Sequence, residues 1–510
     1  MMGDFIRRIV IVGGGTAGWM VAAALSRSIG SPDVSIRLIE SDEIGSVGVG
    51  EATLPAIRNF NALLGIDERE LLRACHGTFK LGIEFCDWGE LGIRYMHPFA
   101  HYGGGFNSKL FPHLWVKYAQ FMQARGTRPS IDDYNLGSVA AAAGRFSVGA
   151  ASPQLGAAGL DYAYHFDAML YAGFLRQYAQ TRRVERIEGE VVSVAQDPDS
   201  GFIQSVTLKS GLAVAGDFFI DCSGFRGLLI EQTLHAGYED WSHWLPCDRA
   251  IAVASEGRGP PAPYTRSTAQ DAGWIWRIPL QSRIGNGHVY SSAFVTDDQA
   301  EAVLIRQLDG APIATAKRLR FVTGRRKRVW DRNCLAIGLA AGFLEPLEST
   351  GIHLIQTAIL RLLSLFPDKS FDRAEINEFN RQTQDEYENA RDFLIAHYVL
   401  NRRGGSPFWR HCAQMTPPDR VSEHIALFAD KGRLAIRQEH TFANHSWMAI
   451  LLGQGLSPRG FDPLLESADE GEVEAQMRSI REGLMAMVST LPAHQSFIEQ
   501  YCQSALSGAH

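Results

Sequence analysis

The first residues whose spacing could do chemistry are glycines. Gly13-Gly14-Gly15-Thr16-Ala17-Gly18 contains a Gly-x-Gly-x-x-Gly pattern. In such a set the first glycine allows a tight turn and the second lets the backbone approach a pyrophosphate. The third lets helix and strand pack closely. A helix that starts there offers free N–H groups and the positive end of its dipole to phosphate. Glu40 follows about 20 residues later, where a carboxylate accepts from ribose hydroxyls. A glycine turn that binds nothing is the plain alternative, so the elements around it decide.

Those elements are the right ones. Residues 6–12 form a β-branched run broken only by two arginines, which predicts a strand. Residues 19–28 are apolar with a helical pattern, and residues 34–39 predict a second strand ending at Glu40. This is a βαβ opening. Residues 54–180 are loop-rich, with helical pieces and many glycines and aromatics. Strands are expected at 183–194, 201–208 and 217–221, then at 250–254, 274–279, 288–295 and 333–337. A helix is expected at 352–365, and from about residue 372 the pattern is mainly helical. The expected layout is a discontinuous α/β nucleotide-binding body over 1–365, with substrate-site insertions at about 54–180 and a helical cap over 366–510. A second Gly-x-Gly-x-x-Gly unit is missing: neither Gly103-Gly104-Gly105 nor Gly48-Val49-Gly50 follows a convincing strand. One dinucleotide site points to a flavoprotein that binds FAD and receives its reducing equivalents from elsewhere.

Composition narrows the class without naming a function. The 510 residues are 45% hydrophobic and 21% charged, with net charge −7, which is ordinary for a globular protein. Basic residues are scattered apart from Arg325-Arg326-Lys327-Arg328, read as a solvated face, so nucleic acid is not an expected partner. The apolar stretches are too short and too interrupted to span a bilayer, and a strand starts too early for a secretory signal. Seven dispersed cysteines without a Cys-x-x-Cys pair suggest reduced thiols in the cytoplasm and no metal site. A homodimer is compatible with the sequence but not specified by it.

Several ordered segments resemble the flavin-dependent tryptophan halogenase family. The loop Gly13 to Gly18 with Trp19-Met20 is similar to that family's cofactor loop. Gly48-Val49-Gly50-Glu51-Ala52-Thr53 resembles its strap between flavin and substrate sites, and Thr78-Phe79-Lys80-Leu81-Gly82 resembles the stretch with its catalytic lysine. Trp274-Ile275-Trp276-Arg277-Ile278-Pro279 fits its Trp-x-Trp-x-Ile-Pro signature. Leu344-Glu345-Pro346-Leu347-Glu348-Ser349-Thr350-Gly351-Ile352 resembles its halide and glutamate segment. The resemblance implies a doubly wound, flavoprotein monooxygenase-like body with a mainly helical C-terminal cap. It also implies FAD, used as FADH2, with O2 and chloride or bromide. A separate NAD(P)H-dependent flavin reductase would supply the FADH2, and a small aromatic compound would be the substrate. Cofactor contacts would come from Gly13, Gly15, Thr16, Ala17, Gly18, Glu40, Gly50, Ala52, Val191, Gly338, Leu339 and Ile352.

The roles implied make chemical sense. In the family's reaction a flavin C4a-hydroperoxide and halide give hypohalous acid, which must be kept from water. Lys80, set between Phe79 and Leu81, would donate a hydrogen bond to that oxidant, or be halogenated by it when neutral. A surface lysine lying along a sheet is the bland alternative. Glu348 would stabilise the arene cation and accept its proton, or else merely cap the helix that follows. Thr350 and Gly351 resemble the halide-binding pair. Leu339 stands where many flavin monooxygenases carry an acid, which leaves the halide region without a competing charge. Trp274 and Trp276 alternate on a strand and face one side; they would wall flavin from substrate, although such a pair is ordinarily core.

His97-Pro98-Phe99 resembles the segment whose His and Phe stack on indole; a satisfied His beside a core Phe is as reasonable. Where free-tryptophan enzymes carry a tyrosine pair, this chain reads Phe442-Ala443-Asn444-His445-Ser446-Trp447-Met448-Ala449. Trp447 would be a pocket wall or simply a packed residue. Without the pair, indole, an indole-bearing or peptide-borne compound, or a phenol is as good a candidate as tryptophan. The other readings are an FAD-dependent aromatic monooxygenase, favoured by Asp221-Cys222-Ser223-Gly224-Phe225-Arg226, and a non-catalytic flavin-binding protein.

Overall fold

A computed structural model describes residues 5–43, 51–104, 110–149, 159–437 and 440–503. The chain divides into two compact units. The first comprises Met1–Gly77, Phe166–His243 and Phe321–Glu388, and the second Thr78–His165, Trp244–Arg320 and Asn389–His510. The α/β, doubly wound expectation holds in the first unit and the mainly helical C-terminus in the second.

The first unit is built on a six-stranded sheet. Its order in space is Trp330–Asp331, Cys334–Ala336, Phe218–Asp221, Arg8–Val12, Ser35–Glu40 and Glu185–Glu188. All neighbours run parallel except the short edge strand Trp330–Asp331. Ile9, Val10 and Ile11 are fully buried, as expected of a parallel strand covered on both faces. Helix Thr16–Ser28 lies against helices Ala168–Gln180 and Thr350–Ser364. Val12 pairs with both Ile39 and Asp221, and Asp221 with Ala336. Because the strands are parallel, the glycine loop, Glu40, Asp221 and Gly338 all leave the sheet at one carboxyl edge, where such sheets bind ligands.

The second unit is built on a seven-stranded sheet. Its order is Lys317–Arg320, Arg249–Ser255, Ile284–Tyr290, Gly273–Pro279, Thr265–Gln270, Gly82–Cys86 and Arg94–Pro98. Neighbours are antiparallel except Thr265–Gln270 with Gly82–Cys86. Ile275 joins Ile251, Val253, Tyr290, Ala300 and Leu304 in a core on one face, so Trp274 and Trp276 turn to the other. Trp274 donates to the Tyr398 hydroxyl at 3.1 Å. Helices Pro407–Gln414, Asp419–Lys431, Asn444–Gly453, Glu470–Ser489 and His494–Gln503 complete this unit.

Three expectations need correction. The strand placed at 288–295 is Ile284–Tyr290. A Cβ on Gly287 would lie 2.0 Å from the Trp276 ring, so this glycine belongs inside the strand, under an indole. The stretch 54–180, taken as loops and helices, also contains strands Thr78–Lys80, Gly82–Cys86, Arg94–Pro98 and Ala163–Phe166. The basic run is only half solvated: Arg325 and Arg326 are buried. Arg325 pairs with Glu239 and Glu388, and Arg326 with Glu231.

The end of strand Phe218–Asp221 rests on one carboxylate. Asp221, fully buried, accepts from the amides of Ser223, Leu229 and Ile230 at 2.7–2.9 Å. Leu229 and Ile230 are themselves fully buried. Leaving a buried donor unsatisfied costs about 1–3 kcal/mol. Asp221→Ala is therefore expected to lower unfolding free energy by about 3 kcal/mol or more, read from denaturant unfolding of the apoprotein.

Candidate active site

The predicted site residues are spread over both units. In the first, helix Thr16–Ser28 begins after Gly15 with no side-chain cap, so its leading amides are left for another partner. The four loop glycines are not equivalent. A Cβ on Gly13, whose φ is +112°, would lie 2.2 Å from the Cys222 carbonyl oxygen. On Gly14 it would lie 1.6 Å from a Glu40 carboxylate oxygen, and on Gly18 1.9 Å from the Gly13 carbonyl oxygen. At Gly15 nothing lies within 4 Å. The protein thus crowds three glycines and leaves open the one over which a pyrophosphate would pass, a cradle that fits a dinucleotide. Thr16 and Ala17 form the first turn of the helix. Gly338, φ +71°, brings the turn after Cys334–Ala336 onto Ala17, since a Cβ there would lie 2.8 Å from that of Ala17. Leu339 occupies this same turn.

Glu40 is engaged by protein groups. Trp19 Nε1 donates to it at 3.2 Å, Arg186 Nε at 2.5 Å and Arg176 at 3.5 Å. Ala52 is buried at the end of Glu51–Ala52. Burial pushes the neighbouring Glu51 carboxyl up to about 7. Val191 opens the edge strand Val191–Gln196. Gly50 lies outside the described residues.

In the same unit Glu348 is fully buried. Ser349, with φ +60°, turns the chain into helix Thr350–Ser364 and makes no side-chain cap. Thr350 is 1% exposed, and its hydroxyl has no hydrogen-bond partner among the described residues. Gly351 has open space at its Cβ position, whereas Ile352 is buried. A helix start with a spare hydroxyl and an uncrowded glycine suits a small anion.

In the second unit Lys80 is fully buried, not laid along a surface. It ends strand Thr78–Lys80, which pairs antiparallel with Ala163–Phe166. Hairpin register brings it an aromatic partner. Gly82 pairs with Pro98, and the Phe99 amide donates to the Leu81 carbonyl at 3.2 Å. The Lys80 ammonium then sits 5.0 Å from the Phe99 ring centroid, within cation–π range. On the same face, His165 is fixed by two hydroxyls: Nδ1 to Thr78 and Nε2 to Thr265, both at 2.9 Å. The Thr78 hydroxyl donates to the Pro279 carbonyl, so it accepts from Nδ1–H, and Thr265 donates to Nε2. Burial, then the Lys80 charge, holds His165 well below the usual imidazole range. The lysine's imidazole neighbour is therefore neutral.

His97 is buried with its ring 5.5 Å from Phe393 and 6.1 Å from Phe442. Phe393 and Phe442 stack at 4.0 Å, and Trp447 meets Phe393 edge-on at 5.3 Å. This aromatic group joins strand Arg94–Pro98 to the C-terminal helices. Nearby, His445 contacts His101 at 4.5 Å; burial and the two histidines His101 and His97 push it down to about 3. Among the described residues no acidic, His or Cys group could hold a metal. No described helix is long and apolar enough to cross a membrane. His165, Phe393 and His445 were not read as site residues: each is distant in sequence from its partners and carries no local motif.

The chain as a whole is similar to known proteins. The family model described as Tryptophan halogenase matches residues 8–470. Tryptophan 6-halogenase ThaL of Streptomyces albogriseolus is 35% identical, over 98% of this chain and 99% of that protein. Xcc4156, a flavin-dependent halogenase from Xanthomonas campestris, superimposes with a TM-score of 0.93 and 46% identity, covering 98% of this chain and 99% of that one. BrvH, a flavin-dependent halogenase from Brevundimonas sp. BAL3, gives 0.92 and 44%, covering 97% and 99%.

The uneven crowding of the glycine loop separates binding from folding. Gly15→Val is expected to raise the FAD dissociation constant about tenfold or more, with the melting temperature of the apoprotein unchanged. Gly18→Val should instead lower that melting temperature, because its side chain meets the Gly13 carbonyl. Fluorescence titration with FAD and thermal melts check both.

Proposed function

This chain belongs to the tryptophan halogenase family, and from that premise we propose that it halogenates an indole-type or other electron-rich aromatic ring using FADH2, O2 and halide. The observation that carries the reading is Lys80: a fully buried ammonium beside the face of Phe99. Burying a charge is costly unless it is paired and hydrogen-bonded, and a surface role is excluded by its burial.

Bound FADH2, with O2 and chloride or bromide, supplies hypohalous acid when the cofactor is present. A separate flavin reductase delivers the FADH2. Gly13 to Gly18, Gly338 and Leu339 hold the cofactor in this reading, with Glu40, Ala52, Val191 and Ile352 around it; Gly50 is included on the resemblance alone. Thr350 and Gly351 hold the halide. Lys80 orients the oxidant by a hydrogen bond from its ammonium, or as the free amine takes the halogen and releases water. Glu348 stabilises the cation formed on the arene and accepts the proton that the ring loses. His97 and Phe99 grip the ring with Trp447 as a wall, and Trp274 and Trp276 screen flavin from substrate.

The substrate reading rests on Phe442 and Trp447. Where an amino-acid head group would be clamped, the helix Asn444–Gly453 buries Trp447, Met448, Ile450 and Leu451. We therefore assign indole or an indole-bearing or phenolic compound rather than free tryptophan.

Lys80→Ala is expected to abolish product carrying halogen in place of hydrogen, with FAD affinity unchanged. Glu348→Gln should lower kcat about 10²–10⁴-fold. The double variant should lose no more than the worse single one, since groups acting as a unit are not additive. Product mass spectrometry with a flavin reductase, NADH and halide reads all three; a mass gain of one oxygen would replace this reading with a monooxygenase.

In an equimolar mixture of indole and tryptophan, halogenated indole should be the main product. Tryptophan taking most of the halogen would overturn the substrate assignment.

A further inference from the structure

The strand that carries Lys80 is only three residues long and pairs with Ala163–Phe166 along its length. Successive residues on a strand point to opposite faces, so Phe79 projects away from Lys80. Its ring is enclosed on that side. Phe146 stacks on it at 4.1 Å, and Tyr162, Phe497, Tyr501 and His494 meet it at 5.5–6.1 Å. His494, Phe497 and Tyr501 lie on one face of helix His494–Gln503, at the spacing that one helix face allows.

One contact in this group is of a different kind. The Phe79 backbone amide donates to His494 Nε2 at 3.2 Å, and His494 Nδ1 bonds the Pro261 carbonyl at 2.8 Å. A carbonyl can only accept and an amide N–H can only donate. Neither partner can reverse its role, so His494 is held as the neutral tautomer with its proton on Nδ1. Its own amide donates to the Gly144 carbonyl at 2.9 Å, and the ring is 1% exposed. Burial pushes its pKa down to about 4, in agreement with the tautomer that the partners require. The last helix among the described residues thus reaches back to the amide of the residue before Lys80.

We infer that His494 is a positioning residue: by accepting the Phe79 amide hydrogen and donating to Pro261, it fixes the strand that presents Lys80 to the reacting halogen. The inference rests on the reading of Lys80 given above. His165 ties the same strand through the Thr78 side chain, and His494 ties it through the backbone one residue later. Between them the two neutral histidines leave the strand little freedom to twist, while adding no positive charge beside the ammonium.

The test compares His494→Phe, which keeps an aromatic ring and removes the acceptor, with His494→Gln, whose amide oxygen reaches about as far as Nε2. Hydrogen exchange is followed on the full-length apoprotein. In His494→Phe, exchange over residues 78–81 is expected to rise about tenfold or more, while residues 9–12 keep their protection. With FAD, reductase and halide, kcat should fall about tenfold, with KM for indole within about twofold. His494→Gln should restore protection and kcat to within about threefold of the parent. The inference is overturned if His494→Phe leaves exchange and kcat unchanged. It is equally overturned if exchange rises across all segments, or if Gln performs no better than Phe. Failure of the parent reading shows elsewhere: full turnover in Lys80→Ala, with His494 intact, would remove the lysine from the chemistry.

Discussion

A buried positive charge sets the terms for the second unit. Removing an ammonium from water is unfavourable, so whatever surrounds Lys80 must tolerate the charge without competing for it. Phe99 offers a π face, which attracts a cation and gives up no proton. His165 could have been a rival cation, but both its nitrogens are committed to threonine hydroxyls. A chain of fixed donors and acceptors runs from Thr265 through His165 and Thr78 to Pro279 and keeps that imidazole uncharged. The rest follows: the Gly82–Pro98 register sets Phe99 opposite Leu81, and the strand Thr78–Lys80 must be fastened from both sides.

The first unit solves a different problem with simpler means. A parallel sheet delivers every loop to one edge, so the glycine loop, Glu40, Asp221 and Gly338 need no special signals to come together. Close approach is then decided by glycines. Gly13 and Gly18 allow the backbone to touch itself, Gly338 allows two turns to meet, and Gly15 leaves its outer side clear. As a flavin-dependent halogenase, the protein keeps the features of a dinucleotide-binding fold that depend on backbone alone.

This contrast explains what the sequence made legible. The βαβ opening, the glycine loop and the strands ending at Asp221 and Ala336 were readable because period, β-branching and turn chemistry are local. Strand Ile284–Tyr290 was set too late because Gly285 and Gly287 resemble turn residues; only the Trp276 ring resting on Gly287 shows why a glycine belongs there. The arginines at 325 and 326 looked solvated because their acids, Glu231, Glu239 and Glu388, are remote in the chain. Lys80 could be named only through a resemblance, since a three-residue strand has no measurable periodicity; the strand of the paired tryptophans was readable, but their role and that of Glu348 came from the resemblance too. His165 and His494 were invisible for a further reason: a neutral, doubly bonded histidine has no sequence signature, and its partners are backbone groups and threonines.

The C-terminal helices carry two duties that are mechanically joined. Helix Asn444–Gly453 lies on strand Arg94–Pro98 so closely that a Cβ on Gly453 would sit 2.3 Å from the Tyr95 ring. Trp447 and His97, both proposed to line the substrate pocket, therefore belong to one packed body, continued through the stacked Phe393 and Phe442. Close-packed protein cores feel a change of even one methylene. A side chain altered at Trp447 is expected to shift His97, two residues before Phe99, whose ring lies beside the Lys80 ammonium. In the proposed enzyme, substrate choice and lysine placement are thus coupled by packing. The way to widen one without disturbing the other is to alter side chains that face open space, not those pressed against Tyr95 or Phe393.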